Sequence, residues 1–435
     1  MAAQEADNVA LHLFRSLSRA RVPSSVIQGW AQFKAGELVS IDGLCRDRFD
    51  QDGLSPSPTF SSARAYADAH QINAAILPDR GLIHKCARLY MKSIIRVTFP
   101  ILEPSGFNET TRLAYEPAAD HPSHVLSARA CIVAFCMFAY LVPLGIQVCS
   151  ERKFIYYSAL LQRALPTITE AATVDGFQAC IFLLLSQFFT GRMISASVTN
   201  SLAAQFVFHL DAHTEGPTRS FSWLQGSDLN GANICLRSLF WVCYTIDKEL
   251  CLRTRQPPAL SDNHCDLTIR TDYLARFLEG FADSLPFGEF HPSMMFPVDI
   301  KLSQIKSQAY DSLYSRAAFR EGHTKLFTQI RKLDETLERW RMAVPQKCRP
   351  SLLFPSDTSI DARDVDIRTL ILRLDYLHCM AVIHQASNRG LQTPINGHNT
   401  KATIASSIAL AVEASRSSLR YLDNAHHILS KGSFW

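Results

Sequence analysis

The sequence predicts an all-α protein, and three observations support that prediction. Apolar residues recur at helical spacing along most of the 435-residue chain, alternating runs typical of strands are missing, and Pro or Gly marks the ends of several helical runs. Apolar residues make up 47% of the chain and charged residues 19%, enough to bury one large core or two adjoining cores. We therefore expect a large multi-helix domain with irregular loops.

The first predicted element is a short amphipathic helix within residues 1–22. Val9, Leu13 and Leu17 recur every four residues after Asp7, which is a suitable N-cap. No secretory signal is indicated, because Glu5 and Asp7 interrupt this region and no continuous apolar run develops. A packed terminal helix is favoured; a transit peptide or a membrane-surface helix is the alternative.

The most apolar segment, residues 130–149, carries no charge and is long enough to span a bilayer, which takes about 20 residues. Pro143 and Gly145 interrupt it, and the next apolar run, residues 179–189, is shorter. We therefore predict a buried helical hairpin in a soluble core and no membrane span.

Helical spacing predicts four further helices in the C-terminal part. The second should end before Pro345, the third near Gly390, and the last should run from about residue 402 to 429. Their apolar positions are Leu302, Ile305, Ala309 and Leu313; Leu326, Ile330, Leu333, Leu337 and Trp340; Ile367, Leu370, Ile371, Leu374, Leu377 and Ala381; and Ile404, Ile408, Leu419 and Leu422.

Polar and Pro-bearing stretches predict the loops, and no internal repeat is found. These stretches are residues 53–62, 103–123, 211–231, 280–297, 345–361 and 388–400. We divide the chain into residues 1–80, an N-terminal helix with a flexible segment, and residues 81–435, one helical domain.

Nucleotide-binding motifs, nucleophile elbows and paired C-x2-C motifs are absent from the sequence. The 12 cysteines are scattered singly, which favours buried thiols in a reducing compartment over a zinc cluster or a disulfide framework. A net charge of +4 gives no support for direct DNA contact. His209 and His213 have helical i, i+4 spacing, but a third metal ligand is not apparent, so hydrogen-bonded histidines at a helix end are preferred to a metal site.

Catalytic candidates are equally weak. Asp247 and Glu249 stand two residues apart and point in different directions on a helix. Residues 264–266 (His-Cys-Asp) lack any sign of the geometry that would activate the thiol. We predict no catalytic, cofactor-binding or metal-binding residue, and no cofactor.

The segment RSLFWVCYTIDKELCLRTRQPPALSD, residues 237–262, is the most distinctive part of the sequence. Its first half predicts a helix with an aromatic core face, and we expect Asp247 and Lys248 at the margin of that face. Asp247 is expected to pair with Arg253 or Arg255, while the Pro-Pro step holds the chain extended before a turn. The segment therefore predicts a helix whose exit is fixed to the core by an ion pair and a stiff turn.

This segment resembles the middle homology region of fungal zinc-cluster transcription factors, with its R-x-L-F-W-x-x-Y-x-x-D-[RK] helix and G-R-P-P-A-L-S turn. Thr254 stands where Gly is usual, and Gln256 separates Arg255 from the prolines. The predicted signature residues are Arg237, Phe240, Trp241, Tyr244, Asp247, Lys248, Arg253, Arg255, Pro257, Pro258 and Ser261.

The resemblance runs from about residue 81 onward through SLAAQFVFHLDAHTE, LSQIKSQAYDSLYS, LDETLERWRMAVP and YLHCMAVIHQAS. Residues 1–80 contain no counterpart of the family's zinc cluster, basic linker or coiled coil. We expect either a regulator without its own DNA reader or a gene that has lost an upstream exon.

The resemblance implies a nuclear transcriptional regulator, with secondary-metabolite gene clusters as a frequent setting. Implied partners are coregulators or a DNA-binding partner, and a small-molecule effector and a homodimer are consistent with it. The alternative is a stand-alone small-molecule-binding or adaptor protein on the same fold. An enzyme is disfavoured because no catalytic constellation is found.

Overall fold

The computed structural model describes residues 77–116, 122–142, 144–215, 227–269, 296–353, 367–392 and 398–425. Within these ranges it contains 12 α-helices and no strand, so the all-α prediction is confirmed. The helices are α1 Arg80–Met91, α2 Ile94–Thr98, α3 Pro104–Tyr115, α4 Pro122–Leu141, α5 Glu151–Ala171, α6 Val174–Phe189, α7 Met193–His209, α8 Ser227–Thr254, α9 Ile300–Ala309, α10 His323–Ala343, α11 Ile367–Gln385 and α12 His398–Asn424.

The described residues form two hydrophobic cores, and α8 contributes to both. The first is formed mainly by α1 to α8, and the second mainly by α9 to α12. Leu250 of α8 packs in the first core, whereas Leu252, two residues later, packs in the second. Because α8 also packs along α9, the C-terminal half of α8 lies at the junction of the two cores.

Helix α4 has the length and composition to cross a membrane, but 78% of its most apolar stretch is buried inside the protein. It packs along α6, where the rings of Phe135 and Phe138 lie 5.6 and 5.1 Å from Phe182. This supports the predicted core role of both apolar segments. They do not form a simple hairpin, however, because α5 separates them in the sequence.

The periodicities of α9 and α10 are confirmed. Leu302, Ile305, Ala309 and Leu313 are all buried in the second core, although the last lies in a short π-helical turn, Tyr310–Tyr314, that follows α9. The five apolar positions of α10 are also buried there, and the helix ends at Ala343, two residues before the proline.

The prediction of a loop over residues 103–123 was wrong for most of that range, because α3 occupies residues 104–115. The carboxylate of Glu103 caps the helix by accepting the N–H of Gly106 at 2.7 Å. Pro104 stands at the first helical position, where a missing N–H costs nothing. A proline that initiates a helix was therefore interpreted as one that breaks it.

Three other boundaries differ from the predictions. Helix α8 begins at Ser227, inside a predicted loop. Helix α11 ends at Gln385 and continues as a 3-10 turn, Ala386–Gln392, so the glycine at 390 is not its stop. The last helix starts at His398, earlier than predicted. The predicted helix in residues 1–22, the loop at residues 53–62 and residues 426–435 lie outside the described part of the chain.

Asp175, in the first turn of α6, gives a prediction about pH. Burial raises its pKa to about 6, although the hydroxyl of Thr110 donates to Oδ1 at 2.6 Å and opposes that shift. The ionised carboxylate therefore costs stability above pH 6. The cost shrinks as the pH falls below 6 and disappears only below about pH 3, where Asp175 is protonated in both the folded and the unfolded chain. We expect Asp175→Asn to raise the free energy of unfolding by about 1–2 kcal/mol at pH 7.

Urea denaturation of both proteins at several pH values between 4.5 and 7.5 tests this prediction. The gain should shrink as the pH falls, because the asparagine amide can still accept the Thr110 hydrogen bond while the ionisation cost is already relieved in the original chain. A gain that is the same at every pH would contradict it.

Candidate functional site: the polar joint on helix α8

Aromatic side chains of α8 form the buried part of the predicted signature segment, residues 237–262. Phe240, Trp241 and Tyr244 are all buried, and the Trp241 ring centroid lies 4.9 Å from that of Phe240 and 5.7 Å from that of Tyr244. The guanidinium of Arg237 covers this surface, 4.4 Å from the Phe240 ring and 4.7 Å from the Trp241 ring. Cation–π contacts of this kind stabilise a buried arginine.

Arg237 also connects α8 to two irregular segments. It donates hydrogen bonds to backbone carbonyls on both, which are those of Ala212, His213, Asp266 and Thr268. The first two carbonyls follow α7 and the other two follow the Pro-Pro turn. Both irregular segments are thereby held against α8 by a single side chain.

The carboxylate of Asp247 holds the turn that follows α8. It accepts the backbone N–H groups of Ala259 at 2.8 Å and Leu260 at 3.2 Å. The side-chain amide of Asn200 on α7 donates to the same carboxylate at 2.7 Å. Burial raises the pKa of Asp247, while the neighbouring Lys248 and these donors act in the opposite direction and favour the ionised form.

Lys248 completes the attachment of the turn. Its ammonium group donates to the carbonyl of Leu260 and lies 3.3 Å from a carboxylate oxygen of Asp247 and 3.2 Å from one of Asp262. The hydroxyl of Tyr244 donates to Asp262 at 3.1 Å. The two signature side chains therefore bind the donor and the acceptor groups of the same short stretch of backbone.

Two predictions about this pair were wrong. Asp247 and Lys248 do not lie at the margin of the apolar face, because their side chains are only 2% and 0% exposed. Asp247 pairs with Lys248 and not with Arg253 or Arg255. The turn brings its own backbone N–H groups and carbonyl to the charged pair, so the burial of both charges is compensated by hydrogen bonds.

Arg255 occupies the strained position of the turn. Its φ is 57°, in the left-handed region that favours glycine, whereas Thr254 is the last residue of α8. The residue with the conformation that favours glycine is therefore Arg255 and not Thr254, the position at which the resemblance led us to expect glycine. The Arg255 side chain donates to Gln385 of α11 at 3.0 Å and lies 5.5 Å from the ring of Tyr314.

The remaining signature residues continue this turn. Pro257 is exposed and Pro258 is partly buried, and both lie in the irregular stretch between Arg255 and Leu260. The hydroxyl of Ser261 accepts the backbone N–H of Asn263 at 3.4 Å and caps the 3-10 turn Asp262–His264. These residues shape the backbone that Asp247 and Lys248 hold.

A second charged cluster is centred on Glu249, two residues after Asp247, where α8 meets α9 and α11. Glu249 accepts from Arg253 of the same helix and from Lys306 of α9, and Lys306 also lies 3.6 Å from Asp375 of α11. Glu249 and Lys306 are both 0% exposed. Burial alone would lower the pKa of Lys306, but the carboxylates of Asp375 and Glu249 outweigh it, so the pKa is raised and the ammonium stays charged.

We name these two clusters together the polar joint: Asp247, Lys248, Asp262, Glu249, Arg253, Lys306 and Asp375. Sequence reasoning missed the two members outside the signature segment, Lys306 and Asp375. One signal was available for Lys306, which lies four residues after Leu302 and three before Ala309, on the stripe that faces the core. A lysine in that stripe indicates a buried ionic partner.

The polar joint positions elements and is not arranged for acid–base or nucleophilic chemistry. Asp247 and Glu249 serve different clusters, as their spacing predicted. Burial raises the pKa of Cys265 to about 11, which keeps the thiol beside His264 and Asp266 protonated. Helix α7 ends at His209, so His213 is not on the same helical face, and the described residues include no group of His, Cys, Asp and Glu suited to a metal ion.

The polar joint gives a local test. Asp247→Asn keeps the shape of the side chain but removes the charge that pairs with Lys248 and one of the two carboxylate acceptors. We expect faster hydrogen exchange at the amides of Ala259 and Leu260 and a loss of about 2 kcal/mol of stability, because a buried lysine loses the fully buried one of its two counter-charges. Amide exchange measured by NMR or mass spectrometry checks both.

The control for this test is Asp262→Asn, which removes a partly exposed carboxylate that accepts neither amide. It should leave exchange at residues 259 and 260 close to that of the original chain. Equal acceleration in the two variants would refute the role given to Asp247.

The described residues thus form an all-helical protein whose two hydrophobic cores meet at the polar joint. By sequence, the chain is similar to two proteins named ABC-transporter-regulating transcription factor. The one from Aspergillus oryzae (strain ATCC 42149 / RIB 40) is 24% identical over 213 residues, covering 46% of this chain and 23% of the relative. The one from Aspergillus fumigatus (strain ATCC MYA-4609 / CBS 101355 / FGSC A1100 / Af293) is 26% identical over 163 residues, covering 37% of this chain and 17% of the relative.

The aligned region thus spans less than a quarter of each of these relatives. No family model matches the chain. No solved structure matches it either. The likeness is therefore to part of two fungal transcription factors.

Proposed function

We propose that this protein is a transcriptional regulator and that its helices form a regulatory domain of the fungal transcription factor type. The observation that supports the proposal is the sequence similarity to two proteins named as transcription factors. The resemblance of residues 237–262 to the signature of fungal zinc-cluster transcription factors also supports it. An enzymatic role has no comparable support.

The proposal assigns regulation and DNA contact to different parts. Residues 81–435 act as the regulatory part, and DNA contact is supplied by a DNA-binding partner or by sequence outside this chain. A net charge of +4 over 435 residues and the lack of a C-x2-C motif are consistent with that division. Coregulators, a homodimeric state and a small-molecule effector belong to the proposal as further partners, and the nucleus as the location.

The similarity also guides the choice of target genes. Both relatives are named for the regulation of ABC transporters, so genes for such transporters are the first group to examine. Genes of secondary-metabolite pathways are the second group, which we propose from the resemblance of the signature segment.

Chromatin immunoprecipitation of the epitope-tagged protein, expressed from its own locus, tests the proposal. Transcript profiling of a deletion strain and of the same strain with the gene restored is run in parallel, and an untagged strain is the control. We expect discrete promoter peaks, with transcripts of the genes beneath them changing on deletion and recovering on restoration. The DNA motif under the peaks would then identify the class of DNA-binding partner.

The opposite result is equally definite. The proposal would be overturned if the well-expressed tagged protein gave no promoter peaks and the deletion strain showed unchanged transcripts. A binding or adaptor protein on the same fold would then be the better description.

A further inference from the structure

Large apolar side chains are exposed in pairs on two helices of the described chain, α5 and α7. Ile155 and Tyr156 of α5 are 61% and 53% exposed, and Ile194 and Val198 of α7 are 80% and 61% exposed. The two residues of α7 stand four positions apart, so they lie on one face of that helix. Other large apolar residues of the described chain are exposed only singly. Single exposed residues are ordinary, whereas a concentration of them indicates an interaction site.

Helices α5 and α7 lie side by side on α6, the buried helix that connects them in the sequence. Both pack against α6 and against each other. Their C-terminal parts meet at the start of α6, where the side chains of Ile168 on α5 and Phe206 on α7 close on Gly176. A Cβ atom at Gly176 would lie 2.8 Å from the first side chain and 3.2 Å from the second. The two helices therefore share their C-terminal end.

The N-terminal parts of α5 and α7 also lie together, at the end of α4. The ring of Phe154, in the first turn of α5, is 5.4 Å from that of Tyr140. The ring of Phe189, which ends α6 just before the turn to α7, is 6.4 Å from that of Phe138. Tyr140 and Phe138 both belong to the last turn of α4. The exposed apolar residues of α5 and α7 are therefore at the same end of this group of helices.

That end of the group also carries positive charge. Arg152 and Lys153 on α5 and Arg192 before α7 are exposed, and no carboxylate of the described residues pairs with them. Residues 190–209 include no acidic residue, and α7 begins without a side-chain cap. The N-terminal ends of both helices add positive potential, which Glu151 reduces in part. We name this region the α5–α7 surface: Arg152, Lys153, Ile155, Tyr156, Arg192, Ile194 and Val198.

We propose that the α5–α7 surface binds an acidic amphipathic helix of a partner protein. Apolar side chains of that helix would pack on Ile194 and Val198, and its carboxylates would face the three cations and the two helix N-termini. The choice of a protein as the partner rests on the proposed function, in which coregulators take part. The apolar and positive character of the surface does not depend on that function.

The combination of charge and apolar area decides against two other occupants. A second copy that docked through the same surface would place like charges opposite one another, which is unfavourable. Contacts to a nucleic-acid backbone use cations and polar groups, and they would leave the aliphatic side chains of α7 without a partner. An acidic helix with one apolar face complements both properties of the surface.

Direct binding to the purified full chain tests this inference. The probe is a fluorescein-labelled peptide of about 18 residues, with leucines on one helical face and glutamates on both flanks of that face. Its control has glutamines in place of the glutamates. We expect saturable binding, measured by fluorescence anisotropy, that weakens as salt is added, and about tenfold weaker binding of the control peptide. A photo-cross-linker in the probe should attach to residues 151–159 and 192–201.

Two double variants separate the contributions of charge and apolar contact. Arg152→Gln with Lys153→Gln should weaken binding about tenfold and reduce its dependence on salt. Ile194→Ser with Val198→Ser should weaken binding by a similar factor and leave its dependence on salt unchanged. All four side chains are exposed, so circular dichroism should show that both variants are folded.

A matched control changes an exposed cation and an exposed apolar residue on α10, where no binding is expected. This variant, Lys332→Gln with Met342→Ser, should bind the probe like the original chain. Absence of saturable binding to the original chain would overturn the proposal. Equal weakening in the control variant would do the same.

Two further results would assign the α5–α7 surface to another occupant and so overturn the proposal. One is binding to vesicles of phosphatidylserine and phosphatidylcholine without binding of the probe. The other is a dimer in sedimentation experiments that dissociates when Ile194 and Val198 are replaced. Promoter occupancy is measured separately, so intact promoter peaks without binding of the probe would count against this inference alone.

Discussion

Replacing Lys306 by Met is expected to cost about 3–5 kcal/mol of unfolding free energy. The substitution keeps a long apolar stem on α9 but removes the ammonium group that lies between Glu249 of α8 and Asp375 of α11. The carboxylates of Glu249 and Asp375 then lose the cation that they share. Water cannot readily take the place of the ammonium group, because the side chain of Glu249 is 0% exposed. Chemical denaturation followed by circular dichroism measures the loss.

Two comparisons make this prediction specific. Lys325→Met is the same chemical change at an exposed pair, since the Lys325 side chain is 58% exposed and its partner Glu321 lies on the surface. It should cost less than about 1 kcal/mol. Adding Glu249→Gln to Lys306→Met removes the excess negative charge, and it should restore part of the stability. Equal losses of stability for Lys306→Met and Lys325→Met would contradict the structural role given to the polar joint.

The sequence predicted correctly those helices that pack against the core through a single apolar face. The spacings of α10, from Leu326 to Trp340, required nothing beyond local periodicity, and every one of those positions is buried. Helix α3 was not predicted, because it begins with Pro104 and carries several polar residues. The same residue type starts one helix and ends another, and only the capping geometry distinguishes the two cases.

The polar joint was beyond local reasoning for a different reason. Charged residues such as Asp247 and Lys248 are assigned to a surface by default, since burial of an uncompensated charge is costly. Here the compensation comes from residues distant in sequence, including Asn200, which is 47 positions from Asp247, and Lys306, which is 57 positions from Glu249. No local spacing pattern predicts a contact between residues so far apart in the sequence. The position of Lys306 in the apolar stripe of α9 indicated only that it has a buried ionic partner.

Replacing Trp241 by Ala should destabilise the protein by about 3–5 kcal/mol, because it empties a large, almost fully buried site between two aromatic rings. Trp241→Phe should cost clearly less, since a ring remains beneath the Arg237 guanidinium, and Ile194→Ala, at an 80% exposed position, should change stability by less than about 0.5 kcal/mol.

The loss at Trp241 should also extend beyond the first core. The ring supports Arg237, and Arg237 holds the carbonyls of the segments on both sides of the signature region, so the two side chains act on the same structure. The double variant with Arg237→Ala should therefore lose less stability than the sum of the single losses. Thermal and chemical denaturation of the four proteins measures this coupling. Strictly additive losses would mean that the tryptophan only fills space, and an unchanged midpoint for Trp241→Ala would reject its place in the core.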